Sequence, residues 1–262
     1  MASETRQNQI LLSARFSVRY GGKPPVLRDV QMEIRRGEVL GLVGQSGSGK
    51  STLAMAVLGL LDKRRSRAEG NIRFQDSDLL QLSERELRAL RGRAIALVLQ
   101  SPLSSLNPAL KIRTQLKEAW RAHASGTSVD CANAIRTSLQ SVSLPADDEF
   151  LRKYPSQMSV GQAQRVLIAM AVMHRPALLI ADEATSALDS HNEAAIQDAL
   201  DVVMRGRTSM VIAHRLSTII NADVIFVVEN GRIVESGSHA VLLARNASYA
   251  HLYRTQFREA AS

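Results

Sequence analysis

Residues that would indicate disulfide-rich, nucleic-acid-binding or membrane-spanning proteins are scarce in this chain. One cysteine, Cys131, occurs in 262 residues, which excludes an internal disulfide framework and a zinc ribbon. Aromatic residues make up only 4%, so they are not interleaved with basic residues as in a groove for single-stranded nucleic acid. No stretch reaches the ~18 consecutive apolar residues of a membrane-spanning helix, and the polar N-terminus has no secretory core. We therefore expect a cytoplasmic protein without a nucleic-acid partner.

The composition is that of a globular protein with an excess of positive charge. Apolar residues make up 45% and charged residues 22%, which excludes disordered and fibrous proteins. The 33 Lys and Arg against 25 Asp and Glu give a net charge of +8, which suits nucleotide phosphates or an anionic membrane surface. The basic residues at 63–67 are better explained as a solvated surface than as a nucleic-acid site.

The order of apolar runs predicts one mixed α/β domain over residues 1–262 with a helical insertion. Short apolar runs separated by turns predict strands at residues 10–20, 26–34, 39–43 and 71–74. Continuous apolar runs predict buried strands at 178–181, 210–213 and 224–228, the last of them leading into a hairpin turn at 229–231. Residues 109–152 are helical in pattern, and we place the insertion at about 103–175.

A glycine-rich segment after the third predicted strand has the pattern of a phosphate-binding loop. Residues 44–51 match G-x-x-x-x-G-K-[ST] between a strand and a helix. The glycines let backbone N–H groups surround phosphate oxygens, while Lys50 neutralises the terminal phosphates and the Ser51 hydroxyl ligates Mg²⁺. The residues predicted to hold the nucleotide here are Gly44, Gln45, Ser46, Gly47, Ser48, Gly49, Lys50, Ser51 and Thr52.

Two adjacent carboxylates follow the buried strand at 178–181. Strand alternation directs Asp182 and Glu183 to opposite sides, which allows them different roles. Asp182 is suited to hold Mg²⁺ through water, and Glu183 to polarise the water that attacks the γ-phosphate. Such a pair is a weak signal by itself, but together with the upstream phosphate loop it predicts nucleotide hydrolysis.

Further motifs resemble those of the ATP-binding cassette (ABC) ATPases, in the order of that family and from about residue 10 to about residue 257. Residues 159–162, Ser-Val-Gly-Gln, resemble the signature L-S-G-G-Q. The other matching positions are Gln100 of the Q-loop, Asp189 of the D-loop, the switch histidine His214, and Tyr20, which stands where the family stacks an aromatic ring on adenine.

The resemblance implies a P-loop NTPase of the ABC type, with a RecA-like core, an antiparallel β subdomain and an inserted helical subdomain. ATP and Mg²⁺ are the implied cofactors. Two cassettes would face head to tail, so that Ser159, Gly161 and Gln162 of one contact the ATP held by the other. Gln100 would reach Mg²⁺ and link it to the helical subdomain, which would dock on the membrane partners. His214 would contact the γ-phosphate.

One position departs from the family pattern, because Val160 replaces the first glycine of the signature. If the backbone there were left-handed, a β-branched residue would be strained. Replacing Val160 with glycine would then raise activity.

The subfamily signals conflict. Residues 98–108, which contain Q-S-P-L-S-S-L-N-P, resemble the importer ATPases for peptides and nickel, whereas residues 181–190, 213–218 and 235–239 resemble exporter cassettes. We expect a subunit that powers a separate permease and imports peptides or nickel-like complexes with a solute-binding protein. An exporter subunit and a soluble ABC ATPase of translation or DNA repair are the alternatives.

Overall fold

The computed structural model describes residues 9–99, 102–182, 190–213 and 216–259. They belong to two compact units, one formed by Met1–Arg88 with Gly206–Ser262 and the other by Ala89–Arg205.

The elements of the first unit alternate between strands and short helices. They are β1 (Ile10–Tyr20), β2 (Leu27–Arg35), β3 (Val39–Val43), α1 (Lys50–Val57), β4 (Ser66–Phe74), β5 (Ser77–Asp78) and α2 (Glu84–Leu90) before the second unit. The second unit contains β6 (Ile95–Val98), α3 (Pro102–Ser105), α4 (Ile112–Arg121), α5 (Ser128–Ser141), α6 (Asp148–Arg152), α7 (Val160–Val172), β7 (Leu178–Asp182) and α8 (Ser190–Met204). The first unit then continues with β8 (Thr208–Ile212), β9 (Val224–Glu229), β10 (Arg232–Gly237), α9 (His239–Arg245) and α10 (Ser248–Glu259).

An antiparallel sheet in the order β2-β1-β4-β5 forms one layer of the first unit. Alternate residues of β1 and β2 are buried, as expected for strands with one covered face, and Ala14 pairs with Met32 on one side and Ile72 on the other. Strand β4 begins at Ser66, five residues before the predicted start at residue 71. The first half of β4 is polar and largely exposed, so its apolar pattern carries no signal for a strand.

Strands β3, β8 and β9 of the first unit lie parallel. Strand β3 pairs with β8 and with β9, so that Leu40 lies between Met210 and Val224, and β10 adds to β9 antiparallel. Strand β8 is buried throughout, and only the two ends of β9 are partly exposed, which explains their uninterrupted apolar sequences. The predicted strands at 210–213 and 224–228 are confirmed within a residue or two.

The second unit is mostly helical and includes a parallel pair of strands, β6 and β7, in which Leu97 lies opposite Ile180. Helix α7 packs against α5 and α8, burying Val166, Ile168 and Ala169. Helix α5 begins with a reciprocal capping box between Thr127 and Asp130. Helices α4 to α6 cover the region predicted to be helical. In the described parts of the chain, every helix is too short or too polar to cross a bilayer.

The last two helices are attached to β10 by a buried polar network. The Tyr249 side chain is fully buried, and its hydroxyl lies 2.7 Å from Nδ1 of His239. Burial raises the pKa of Tyr249 to about 12. The carboxylate of Glu235 accepts a hydrogen bond of 2.7 Å from the backbone N–H of Ser248 at the start of α10. This network fixes the C-terminal helices to the sheet.

Candidate nucleotide site

The loop between β3 and α1 adopts a conformation that only glycine allows at several positions. Gly44, Gly47 and Gly49 have φ angles of 151°, 77° and 110°. A Cβ on Gly44 would lie 2.1 Å from the carbonyl oxygen of Val228, and one on Gly49 would lie 2.7 Å from a methyl group of Leu27. Around Gly47, by contrast, the space is open, with no atom within 4 Å of a Cβ. The loop is therefore closely packed at Gly44 and Gly49 and open at Gly47.

Two buried polar side chains lie inside this loop. The Lys50 ammonium donates hydrogen bonds of 2.8 Å to the carbonyl oxygen of Gly44 and 3.0 Å to that of Gln45, with only 5% of the residue exposed. Among the described residues, the buried Ser48 hydroxyl finds no hydrogen-bond partner. A buried polar atom without a partner costs stability, so Ser48 is suited to receive a ligand.

The start of helix α1 adds positive potential to the same place. Its N-cap is Gly49, no side chain caps its first turn, and that turn contains no acidic residue. The first N–H groups of a helix have no acceptor within it, so they are available to an anion. Ser51, the predicted Mg²⁺ ligand, is exposed, and Thr52 is half-buried.

A turn that the sequence indicated only as a hairpin packs against the phosphate loop. Residues 229–231 connect β9 to β10, and the Gly231 N–H donates a hydrogen bond of 3.0 Å to the carbonyl oxygen of Ser48. The Gly231 carbonyl oxygen in turn accepts a 2.8 Å hydrogen bond from the Arg28 N–H. With φ of 77°, Gly231 comes so close to the β1–β2 connection that a Cβ would lie 2.0 Å from the Val26 oxygen. In the sequence, the Asn-Gly pair indicates a hairpin turn but not this contact.

The turn and the loop together enclose a cavity of about 230 Å³. Residues 45–48 of the loop line one side, and Val228, Glu229 and Asn230 line the other. The predicted adenine-stacking residue, Tyr20, is half-buried at the end of β1, just before the connection that packs on Gly49 and Gly231.

This arrangement fits a nucleoside triphosphate. It offers a cationic side chain, a buried hydroxyl, backbone N–H groups and an open mouth over Gly47, which together match the charge and acceptors of phosphate groups. A bound Mg²⁺ would neutralise charge that develops on the phosphates, and within the first unit the hydroxyl of Ser51 is an oxygen donor suited to it.

The signature residues lie at the start of helix α7 in the second unit. Ser159 is the N-cap, and its hydroxyl oxygen accepts a hydrogen bond of 3.1 Å from the Gln162 N–H. The Gln162 side chain accepts one of 3.2 Å from the Ser159 N–H. The Ser159 hydroxyl hydrogen remains able to donate, and the Gly161 N–H belongs to the first turn, where a helix provides no internal acceptor.

The strain considered for Val160 is absent. Val160 is the first residue of α7, and among the described residues with positive φ it does not appear. Val160 is 36% exposed, so its side chain is partly in contact with solvent. In a right-handed helical backbone valine is more favourable than glycine, by about 0.4 kcal/mol. The substitution therefore leaves the shape of the signature intact.

Four predicted site residues, Gln100, Glu183, Asp189 and His214, lie outside the described residues. Asp182 is described. It ends β7 after four buried residues and is itself partly exposed, as predicted for a carboxylate at the carboxyl end of a strand.

The two residues Gln164 and Arg165 fit the family pattern, but the sequence did not indicate what they contact. The amide nitrogen Nε2 of Gln164 donates a hydrogen bond of 2.8 Å to the carbonyl oxygen of Leu99. Arg165 donates to the carbonyl oxygens of Ser143, at 3.0 Å, and Gly161, at 3.4 Å. Its partial burial lowers the pKa of its guanidinium. Both side chains join α7 to neighbouring segments of the second unit.

Comparisons with known proteins show which family the chain resembles. Residues 27–186 match the family model described as ABC transporter. The ATP-dependent lipid A-core flippase of Alkalilimnicola ehrlichii is 43% identical over 233 residues, which cover 88% of this chain and 38% of the flippase. The dipeptide transport ATP-binding protein DppD of Haemophilus influenzae is 37% identical over 229 residues, covering 85% of this chain and 69% of that protein.

A solved structure gives the same fold. A bacterial Atm1-family ABC exporter with ATP bound superposes with a TM-score of 0.77 at 27% identity, covering 95% of this chain and 42% of the exporter. The chain thus spans less than half of the flippase and exporter relatives and about two thirds of DppD. Importer and exporter relatives are both similar to it. The chain belongs to the ABC transporter family, as an ATPase domain of α/β fold that uses ATP and Mg²⁺.

Proposed function

We propose that the chain pairs head to tail with a second cassette and that the pair drives a separate membrane permease. The observation that carries this proposal is that two helices of one chain begin with a first turn suited to an anion. One follows the phosphate loop at Lys50, and the other follows Ser159, again with no acidic residue in the first turn. A nucleotide held between two copies would use the first start of one chain and the second start of the other.

Hydrolysis in such a pair follows the roles that the sequence predicts. Glu183 polarises the attacking water, Asp182 and Gln100 hold Mg²⁺, and His214 contacts the γ-phosphate. Asp189 lies in the predicted D-loop, between this carboxylate pair and the start of α8. The partner cassette is a second copy or a related subunit.

We further propose import of peptide-like or nickel-like cargo, delivered by a solute-binding protein. The importer-like string runs through α3 and into a loop that is joined to α4 by the buried Gln115. The Gln115 side chain accepts a 2.9 Å hydrogen bond from the Asn107 N–H and donates to the carbonyl oxygens of Asn107 and Leu110, at 3.1 and 2.9 Å. This string is thus built into the helical part of the chain, the part that the family resemblance assigns to the permease contact. We propose that the chain is located at the cytoplasmic face of the membrane, where it is bound to the permease.

Reconstitution decides whether this proposal is correct. The membrane proteins that co-purify with the chain are placed in vesicles with the cassette on the outside. ATP-dependent accumulation or release of labelled dipeptide or nickel complex is then measured, with Lys50→Ala as the control that lacks energy supply. With the cassette on the outside, import appears as release of cargo from the vesicles and export as accumulation of cargo inside them. We expect ATP-dependent release that a binding protein stimulates.

Export is the second candidate, and two observations favour it. The flippase relative has the higher identity, 43% against 37%, and the superposed structure is an exporter. Transport in the export direction without any binding protein would establish this candidate and reject import.

A further inference from the structure

Gln164 is a buried amide whose hydrogen-bonding capacity is only partly used. None of its surface is exposed, its nitrogen donates to Leu99, and its oxygen Oε1 has no hydrogen-bond partner among the described residues. An apolar side chain of the same length would fill the space without leaving a buried acceptor unpaired. Packing therefore does not explain an amide here, and its single hydrogen bond is the feature that needs a function.

That hydrogen bond acts on one peptide group. The oxygen it holds is the carbonyl of Leu99, and Leu99 directly precedes Gln100 in the sequence. Leu99 directly follows β6, and its side chain is 44% exposed, so side-chain packing holds this residue only weakly. The contact with Gln164 spans 65 positions of the sequence.

The other end of the contact is the signature helix. Gln164 lies in α7, little more than one turn after Ser159, and helix geometry links the two rigidly. Its neighbour Arg165 holds the same turn through the Gly161 oxygen and joins it to the segment after α5 through the Ser143 oxygen. The beginning of α7 is therefore constrained from both sides.

We propose that Gln164 is a positioning residue, which ties the signature helix to the Leu99 carbonyl, next in sequence to the predicted Q-loop residue Gln100, so that the end of β6 and the start of α7 keep one mutual orientation. The inference rests on the proposed function, because it takes both segments to act on nucleotide. A shift of the signature on dimerisation would then displace the Leu99 carbonyl, and loss of this hydrogen bond would uncouple the two segments.

The first test is hydrogen exchange on the full chain without nucleotide. Gln164→Met removes the donor but keeps the side-chain length, and Gln140→Met makes the same change at an exposed position of α5. We expect the peptide that covers residues 95–101 to exchange at least about tenfold faster in Gln164→Met and unchanged in the control. Unchanged exchange in Gln164→Met would overturn the proposal, whether or not the protein hydrolyses ATP.

The second test separates positioning from stability. In Gln164→Met we expect kcat to fall by about tenfold and the Kd for ATP to stay within about twofold, with no loss of melting temperature. A rate equal to that of the wild type, or a loss explained by partial unfolding, would contradict the proposal. If wild type itself shows no hydrolysis, the proposed function fails. The role of the hydrogen bond between Gln164 and Leu99 is then tested by the exchange experiment alone.

A conservative variant predicts the direction of a pH dependence. Gln164→Glu can donate to the Leu99 oxygen only when its carboxyl group is protonated, and burial raises the pKa of such a group. Its rate relative to wild type should therefore be highest at low pH and fall as the pH rises. A ratio independent of pH would contradict the hydrogen-bond role.

Discussion

The contact between the β9–β10 turn and the phosphate loop leads to a quantitative prediction for Gly231→Ala. The alanine Cβ would lie 2.0 Å from the Val26 oxygen, whereas ordinary contact begins at 3.4 Å, so the turn must move by more than 1 Å. Alanine at the φ of 77° also costs about 1–2 kcal/mol. The movement breaks the 3.0 Å hydrogen bond from Gly231 to Ser48, which is worth about 1 kcal/mol.

These costs act where the phosphates are expected to bind. If about 1.4 kcal/mol of them appears in nucleotide affinity, the Kd for ATP rises about tenfold. Titration of a fluorescent ATP analogue in the presence of Mg²⁺ measures this change. Lys50→Ala gives the lower limit of ATP affinity in this assay, because it removes the ammonium group from the loop itself.

A matched control is available elsewhere in the chain. Gly206 has a similar φ of 66°, but no atom lies within 4 Å of its Cβ position. Gly206→Ala therefore imposes the same backbone strain without the displacement. If Gly231→Ala binds ATP as tightly as Gly206→Ala, the turn does not hold the phosphate loop and the reasoning is refuted.

Three further predictions concern single residues. Val160→Gly should leave the ATPase rate unchanged or lower it, with a loss of up to about 1 kcal/mol of helix stability; a clear rise in rate would restore the strain hypothesis. Burial, with smaller effects from His174 and Arg93, lowers the pKa of His123 from 6.5. The unfolded chain therefore takes up a proton before the folded protein does, and the free energy of unfolding decreases as the pH falls below 6.5. In urea unfolding, His123→Gln should lose less of this free energy on acidification than wild type. Because the pKa of Tyr249 is raised to about 12, its contribution to the stability of the folded state is present below about pH 10 and is lost as the pH rises towards 12. The melting temperature of wild type should therefore fall over this pH range by more than that of Tyr249→Phe. An equal fall in both proteins would refute this prediction.

The sequence predicted those parts of the site that depend on local backbone chemistry. The phosphate loop is recognisable because its glycines and Lys50 serve one short segment. The signature residues were singled out by the family resemblance, and the structure adds that Ser159 and Gln162 cap each other within one turn. Strands with continuous apolar sequences, such as β8, were also predictable because burial on both faces leaves a direct trace in composition.

The remaining parts depend on contacts between distant segments. Nothing in the sequence around Gly231 indicates that its N–H bonds to Ser48, since any Asn-Gly hairpin has the same local signal. The same holds for Gln164, whose partner is a backbone carbonyl in another element. The polar half of β4 was missed for a different reason, because backbone pairing with β1 rather than burial makes it a strand.

The central claim is that ATP is hydrolysed at a site shared by two cassettes, and the dependence of rate on protein concentration tests it most directly. Phosphate release per chain is measured with Mg²⁺ and saturating ATP over a wide range of concentrations, with Glu183→Gln as the variant that binds ATP but lacks the base. We predict that the rate per chain rises with concentration before it levels off, and that Glu183→Gln shows no turnover. A constant rate per chain from a demonstrated monomer would contradict the shared site, and turnover by Glu183→Gln at the wild-type rate would contradict the assigned base.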